Sequence, residues 1–363
     1  MLKMLAALLV LASSAAQADV IIGVAGPLTG PYQNLGLSMV SGVRVAADKL
    51  NAEGGINREQ IIVVPVDDQC DTIRAKDAAD RLLAAQVDAV IGHFCSNSAL
   101  EAARIYDKAG ITMIAPTATL PSLTEAGLAN VIRLSTRIDA QGAFAASRIL
   151  AKRPLAKLLL VDDGSTEMKA ITASFTAAYG KVPTLTAIIS PDQKDFTDLI
   201  AKAKAAGIDT LYIAANATDA GRFTSQAAKA GLELKRYGPD PLLNDVFWTS
   251  AGGAGENTLV SFPIDPESSS EGKALVLDMK ALGQIPDGTT LLAFAAVQLY
   301  AGAAITQGAH ARNKIADELK SGKEFSTILG SLKFDQKGDG QDLRFNWYSW
   351  NNAVYQAIAN DNP

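Results

Sequence analysis

Hydroxyl side chains follow two of the strands that the sequence predicts, and their chemistry suits a carboxylate. Ser96 comes after the predicted strand Asp88–Ile91 and precedes a helical pattern. Thr117 and Thr119 follow the predicted strand Thr112–Ala115. Hydroxyls and the free backbone N–H groups at a helix N-terminus together bind anions. Ser96 therefore predicts an anion contact, and a plain helix N-cap is the alternative.

Residues that catalyse reactions or bind metals are scarce. Histidine occurs only at positions 93 and 310, and no G-x-S-x-G motif is present. His93 directly follows an apolar strand and is predicted to be structural rather than a general base. Asp335–Gly340 is only superficially like a calcium loop, because Lys337 and Asn346 occupy its third and twelfth positions. A turn is the better prediction there, and no phosphate-binding glycine motif occurs. The sequence predicts binding without catalysis, a metal or a cofactor.

The first residues have the pattern of a cleavable signal peptide. A lysine at position 3 precedes the apolar run Met4–Ala12, and small residues end in Ala16-Gln17-Ala18. The run is shorter than the roughly 20 apolar residues that span a bilayer. Residues 1–18 are therefore predicted to be removed, leaving a mature chain that begins at Asp19. No cysteine stands directly after these small residues, so a lipid anchor is not expected.

The only cysteines, Cys70 and Cys95, both lie in the predicted mature chain. In an oxidising exported compartment such a pair is expected to form a disulfide. A bridge across this loop would contribute roughly 3 to 4 kcal/mol on the chain-entropy model.

Short β-rich runs alternate with amphipathic helical patterns over most of the chain, which predicts an α/β fold with parallel sheets covered by helices. The predicted strands are Val20–Ala25, Gln60–Val66, Asp88–Ile91, Thr112–Ala115, Lys157–Val161, Pro183–Ile189 and Asp209–Ala214. The predicted helices are Ser38–Leu50, Thr72–Ala85, Ala99–Ala109, Ala140–Ala151, Asp195–Ala206, Asp219–Ala230, Leu291–Ala304 and Arg312–Lys320. After them, Leu343–Ile358 is rich in aromatic and β-branched residues and predicts a hairpin-like ending.

Length and charge limit the possibilities further. The chain has 363 residues, more than one hydrophobic core usually serves, so two domains are expected. Its net charge is −5 and no Lys/Arg cluster stands out, so nucleic acid is not an expected partner.

Six segments in register resemble the periplasmic leucine/isoleucine/valine-binding proteins of ABC transporters, and the resemblance extends over essentially the whole mature chain. These segments are Gly26–Pro31, Asn51–Asn57, Asp67–Asp71, Val90–Ser96, Ala115–Thr119 and Phe334–Asp339.

The resemblance implies a type I periplasmic binding fold, in which two doubly wound α/β lobes joined by three crossing segments close on a ligand by a hinge. Lobe 1 would comprise residues 19–137 and 263–340, and lobe 2 residues 138–262 and 341–363. The two cysteines match the family's disulfide pair. The implied setting is the periplasm, with an inner-membrane ABC permease as partner, an amino acid as ligand, and a monomer that is not an enzyme.

The family's ligand positions fall on named residues of this chain. Ser96 falls where the family holds the ligand carboxylate, and Thr117 and Thr119 fall at contact positions, with Thr117 in place of a usual alanine. Phe94, in the same segment as Ser96, is also a predicted contact. Asp240 falls where the family typically has a glutamate for the ammonium group, and a turn-forming aspartate is the alternative.

Other positions depart from the family's aromatic pocket. Glu167 and Asn216 stand where the family commonly has tyrosines, and Leu35 replaces an aromatic residue of the first lobe. These changes predict a ligand more polar than leucine, with Glu167 and Asp240 sharing its cation. Two other interpretations stay open: a binding protein for an amide, urea-like or aromatic acid solute, and a sensory ligand-binding module.

Overall fold

The structure, a computed structural model, describes residues 18–341 and 344–358. The predicted signal peptide falls almost wholly outside these residues and stays a prediction. The described residues form an α/β protein with two main β-sheets and one small two-stranded sheet.

The first sheet is parallel, with strand order β2-β1-β3-β4-β5. Its strands are β1 (Val20–Gly26), β2 (Ile61–Asp67), β3 (Ala89–Gly92), β4 (Thr112–Ala115) and β5 (Val131–Arg133). The connecting helices are α1 (Gln33–Ala52), α2 (Thr72–Ala84), α3 (Ser96–Ala109) and α4 (Ser122–Glu125). Strands β3 and β4 are buried at every position because helices cover both faces of the sheet.

The second sheet mixes parallel strands with a C-terminal antiparallel hairpin. Its strands are β6 (Leu158–Asp162), β7 (Leu185–Ile188), β8 (Thr210–Ala214), β9 (Lys235–Gly238), β10 (Leu259–Pro263), β13 (Phe345–Asn351) and β14 (Val354–Ala357). Their order is β14-β13-β10-β9-β8-β6-β7, and β13 and β14 pair antiparallel as the sequence predicted. The helices here are α5 (Ile138–Lys152), α6 (Thr166–Tyr179), α7 (Thr197–Ala205), α8 (Ala217–Lys229) and α9 (Asp245–Ala251).

The chain returns to the first sheet after β10. This returning part contains α10 (Ser270–Ala281), α11 (Gly288–Gln307), α12 (Lys314–Leu319) and the small hairpin of β11 (Phe325–Thr327) and β12 (Gly330–Leu332). By length and composition α11 could span a membrane, but most of it is buried against α1 and the first sheet. An all-round apolar helix of this kind is a core helix.

Each sheet has its own hydrophobic core, so the described chain consists of two lobes. Side chains of α1 and α11 cover one face of the first sheet, and those of α2 and α3 cover the other. The second sheet is covered in the same way by α7, α8 and α9 on one face and by α5 and α6 on the other. The predicted fold class is therefore confirmed. The residue boundaries given above for the lobes stay predictions.

Candidate functional site

Ser96 is tied to the loop that follows the neighbouring strand. It is the first residue of α3, and its Oγ accepts hydrogen bonds from the backbone N–H groups of Thr119 (3.0 Å) and Leu120 (3.2 Å). The N-cap position belongs to Cys95, which makes no side-chain cap. The alternative of Ser96 as a plain N-cap is therefore wrong.

These contacts decide what the Ser96 hydroxyl can offer a ligand. A serine hydroxyl has one donor hydrogen and two acceptor lone pairs. Both lone pairs are directed at Thr119 and Leu120, so the hydrogen is the group that remains for an incoming partner. Because the first-turn N–H groups of α3 lack a side-chain cap, they add donors to the same place. This arrangement is chemically able to donate hydrogen bonds to an anion.

Thr117 and Phe94 form a second bond between the same two loops. The Thr117 hydroxyl donates to the backbone carbonyl of Phe94 over 2.8 Å, so its hydrogen is already used. Both residues are half-buried. Thr119 is also half-buried, and its carbonyl accepts the N–H of Ile138, the first residue of α5. The loop that carries Thr119 thus reaches the second lobe directly.

The loop before Ser96 is shaped by a glycine and a disulfide. Gly92 has a φ of +133°, and a Cβ there would lie 2.2 Å from the carbonyl oxygen of Ala25. A side chain at this position would push β3 away from β1 and displace the loop. Cys95, which directly follows Phe94, forms a disulfide with Cys70, with a Cα–Cα distance of 5.4 Å. The predicted disulfide is confirmed.

Leu35 lies in the first turn of α1, which begins just after β1. Its side chain is half-buried, and its N–H donates to the carbonyl of Tyr32. Since α1 and α3 both start at the carboxyl edge of the first sheet, Leu35 supplies an apolar surface at the same edge as Ser96.

Asp240 follows β9 at the carboxyl edge of the second sheet. Its backbone carbonyl accepts the N–H of Leu243, so the turn that was the alternative interpretation does form. Asp240 is half-buried, and burial of its carboxyl raises its pKa, although a hydrogen bond from Gln141 opposes the effect. Gln141 also donates to the carbonyl of Ser261 over 2.7 Å.

Tyr212, on β8, is fully buried and lies near Asp240. Burial raises the pKa of the Tyr212 phenol, and the charge of Asp240 adds to this rise. Within the described residues its hydroxyl has no hydrogen-bond partner. The sequence did not single out Gln141 or Tyr212, because α5 and β8 are far apart in the chain and only the folded sheet places them beside Asp240.

Glu167 and Asn216 lie at the same edge but are engaged differently. Glu167 is in the first turn of α6 and is half-buried, and its side chain has no hydrogen bond or ion pair among the residues that the structure describes. Asn216 is the N-cap of α8: its amide oxygen accepts the N–H of Asp219, and its Nδ2 donates to the Asp219 carboxylate over 2.6 Å. Its predicted ligand contact stays a prediction.

The turn at residues 335–340 is confirmed as a turn. The Asp335 carboxylate accepts the N–H groups of Lys337 (2.8 Å) and Asp339 (2.9 Å). Asp339 is paired with Arg133, over 2.7 Å. No group of three or more possible metal ligands occurs in the described part of the chain.

Comparison with known proteins places these loops in a familiar scaffold. A family model described as periplasmic binding protein matches residues 19–348. The chain belongs to the periplasmic binding protein family. This family binds solutes and is not enzymatic, in agreement with the scarcity of catalytic residues.

Relatives of this periplasmic binding protein are similar over nearly their whole length. An amino acid binding protein of Pseudomonas aeruginosa is 35% identical over 344 residues, covering 93% of this chain and 92% of its own. A Leu/Ile/Val-binding protein homolog 1 of Brucella melitensis is 34% identical, covering 92% and 91%. The leucine-specific-binding protein of Salmonella typhimurium is 31% identical, covering 94% and 93%.

Solved structures agree in fold. The substrate-binding protein LivJ of Streptococcus pneumoniae, in complex with isoleucine, superposes with a TM-score of 0.75 at 24% identity, over 94% of this chain and 99% of its own. A solute-binding protein of R. palustris in complex with benzoate gives 0.71 at 20% identity, over 95% and 98%. These likenesses confirm the type I periplasmic binding fold.

Proposed function

We propose that this periplasmic binding protein is the substrate-binding component of an ABC transporter and captures an amino acid between its lobes for delivery to an inner-membrane permease. Its relatives carry names of amino-acid-binding proteins, which supports this class of ligand. The periplasm, after removal of the signal peptide, is the proposed location, and a monomer is the proposed state.

The main support is the Ser96 hydroxyl. Because both of its lone pairs are used by Thr119 and Leu120, it offers a donor, and the uncapped start of α3 adds further N–H donors. An amino acid's carboxylate suits that site. On the second lobe, a carboxylate at Asp240 suits an ammonium group, since a buried cation needs a paired anion.

Glu167 supports a ligand with a polar side chain. A half-buried carboxylate with no partner among the described residues is poorly matched to the apolar side chain of leucine. It would instead accept a hydrogen bond from an amide, hydroxyl or ammonium group. We therefore propose that amino acids with such side chains bind more tightly than leucine.

Calorimetric titration of ligand-free protein with the twenty common amino acids tests this function. Stoichiometric binding of at least one of them, more tightly than leucine, is expected. Absence of binding by all of them would contradict the amino-acid function, and tightest binding of leucine would contradict the role given to Glu167.

A second candidate is an aromatic acid or similar anion without an ammonium group. The benzoate complex of the R. palustris protein, on the same fold, favours it. Titration with benzoate separates the two candidates: binding of benzoate that does not change when Asp240 is replaced by asparagine would favour the second.

A further inference from the structure

A chain of three buried polar side chains lies behind Ser96. The Nδ1 atom of His93 is 2.6 Å from an oxygen of the Asp68 carboxylate, and its Nε2 atom is 3.0 Å from the hydroxyl of Tyr106. All three side chains have no exposed surface. Burying such groups is costly unless each one is hydrogen-bonded, and here each one is.

Each polar atom of this chain faces one partner. Burial and the neighbouring Asp68 charge raise the pKa of Tyr106, so its hydroxyl keeps its proton beside His93 Nε2. The Asp68 carboxylate accepts a hydrogen bond from His93 Nδ1. The second oxygen of Asp68 accepts the N–H of Cys70 over 2.9 Å.

These contacts join three parts of the first lobe. Asp68 and Cys70 belong to the loop after β2, His93 to the loop after β3, and Tyr106 to α3, which begins at Ser96. The Cys70–Cys95 disulfide links the first two of these parts again, close by. The loop from His93 to Cys95 is therefore fixed at both of its ends. Without the His93 contacts, the disulfide and the Thr117–Phe94 hydrogen bond would still hold the loop, but its His93 end would lose its anchors on Asp68 and Tyr106.

We propose that His93, held between Asp68 and Tyr106, is a positioning residue that keeps the Ser96 hydroxyl and the start of α3 aligned for a ligand carboxylate. The inference rests on the proposed function for the carboxylate contact itself. It adds a role for a buried group that makes no contact with the ligand.

Two matched substitutions test the inference in ligand-free and ligand-bound protein. Tyr106→Phe removes the hydroxyl that is hydrogen-bonded to His93 Nε2. Tyr300→Phe removes another buried tyrosine hydroxyl of the same lobe, which donates to the carbonyl of Ala309 over 2.6 Å at the amino edge of the sheet. Both variants lose one buried hydrogen bond, so both should lose comparable thermal stability.

The first measurement is amide hydrogen exchange by NMR without ligand. The N–H groups of Thr119 and Leu120 donate to Ser96 Oγ, so their exchange reports whether Ser96 stays in place. Faster exchange at these two amides, by about threefold to tenfold, is expected in Tyr106→Phe and not in Tyr300→Phe. Equal exchange in the two variants would overturn the inference.

The second measurement is the Kd for L-leucine and L-glutamine, by calorimetry. We expect Tyr106→Phe to raise Kd by about threefold to tenfold, and Tyr300→Phe to leave it unchanged. His93→Leu, which breaks both bonds, should raise Kd by more than about tenfold. His93→Asn keeps an amide donor near the Nδ1 position and should recover most of the affinity.

The outcomes separate this inference from the proposed function. If wild-type protein binds neither amino acid, these two probes give no support to the proposed function, and the exchange comparison alone decides the inference. If wild-type protein binds but His93→Leu binds equally well, the inference is overturned while the function stands. Equal affinities of His93→Asn and His93→Leu would also count against it, because a purely space-filling role predicts no rescue.

Discussion

The two lobes present different kinds of polar group at the carboxyl edges of their sheets. On the first lobe, Ser96 and Thr117 are already bonded to the backbone of the neighbouring loop, and the disulfide fixes the same segment. On the second lobe, Glu167 has no partner among the described residues, and burial raises the pKa of Asp240. The first lobe offers neutral donors in a fixed arrangement, whereas the second offers negative charge at some energetic cost.

This difference suggests how an amino acid would be held. Its carboxylate suits the donors of the first lobe and its ammonium group suits the acids of the second. A ligand that carries both charges can satisfy both edges only when the lobes are together, so its binding favours closure.

The segment that leads from the first lobe into α5 is densely bonded. Arg137, just before α5, donates to both oxygens of Asp139, over 2.9 and 2.8 Å. It also donates to Glu125 (2.8 Å) and Asp339 (3.0 Å) of the first lobe. A closing motion of the lobes would therefore have to take place around this anchored segment.

The largest expected effect is at Asp240. Asp240→Asn removes the charge that pairs with the ammonium group, so the Kd for the tightest-binding amino acid should rise by about 30-fold or more. Calorimetry measures this, with Asp198→Asn, an exposed aspartate on α7, as the control. An unchanged Kd in Asp240→Asn would break the proposed division of charge between the lobes.

Affinity should also depend on pH through Asp240. Only the ionised carboxylate attracts an ammonium group, and burial raises its pKa. Affinity is therefore complete above that pKa and falls as the pH drops through it, beginning at a higher pH than an ordinary aspartate would show. Titrations over a pH series in wild type and Asp240→Asn measure this. A fall of the same size in both proteins would point to another group.

The next largest increase in Kd is expected for Ser96→Ala. The change removes the donor to the carboxylate and leaves the N–H groups of Thr119 and Leu120 without their acceptor. Kd should rise by about 10-fold to 100-fold. Ser98→Ala is a close control, because the Ser98 hydroxyl is buried without a partner in the described residues. Comparable losses in both variants would argue against a specific anion site.

A smaller effect is expected at Glu167, where a substitution should change the preference between ligands more than the overall affinity. Glu167→Tyr replaces the unpartnered carboxylate with an aromatic ring and should shift the ratio of leucine to glutamine affinity toward leucine by about threefold to tenfold. Glu233→Gln, on an exposed position of the same lobe, should leave that ratio unchanged. A constant ratio in Glu167→Tyr would show that Glu167 does not face the ligand.

The smallest expected effect concerns the stability contribution of His310, which lies away from the carboxyl edges of both sheets. His310 contacts Asp88 (2.7 Å) and Glu59 (2.9 Å), and the hydrogen bond to Asp88 raises its pKa. Its contribution to stability is therefore complete below about pH 6.5 and is lost as the pH rises through the higher folded pKa. The contribution should be below about 1 kcal/mol, because nearly half of the imidazole is exposed.

Denaturant unfolding of wild type and His310→Gln between pH 6 and 9 measures this contribution. The two free energies of unfolding should converge as the pH rises, with no change in ligand affinity at any pH. A difference that grows with pH would contradict the assigned direction of the pKa shift.

Much of the fold could be predicted from local patterns. Gly110, Gly207 and Gly231 each stand at the end of a helical pattern, where glycine favours a left-handed residue that ends the helix, and all three have positive φ values. The C-terminal hairpin also followed from its β-branched and aromatic residues. Helix α6 was not predicted, because its apolar residues and threonines give no clear amphipathic face.

The site was less accessible to sequence reasoning. Its anion contact at Ser96 was expected, but the two N–H groups that occupy its lone pairs belong to residues more than 20 positions away. Only the packing of β3 beside β4 creates that contact. The role of Asn216 as a helix cap was open to local reasoning, since asparagine is a favoured N-cap residue and Asp219 stands three positions later.

A crystal structure of the protein with the amino acid that binds most tightly tests the central claim most directly. The account predicts the ligand between the lobes, with its carboxylate within hydrogen-bond distance of Ser96 Oγ, its ammonium nitrogen at Asp240 and its side chain toward Glu167. A ligand in the reversed orientation, or one bound without contact to Ser96, would contradict it.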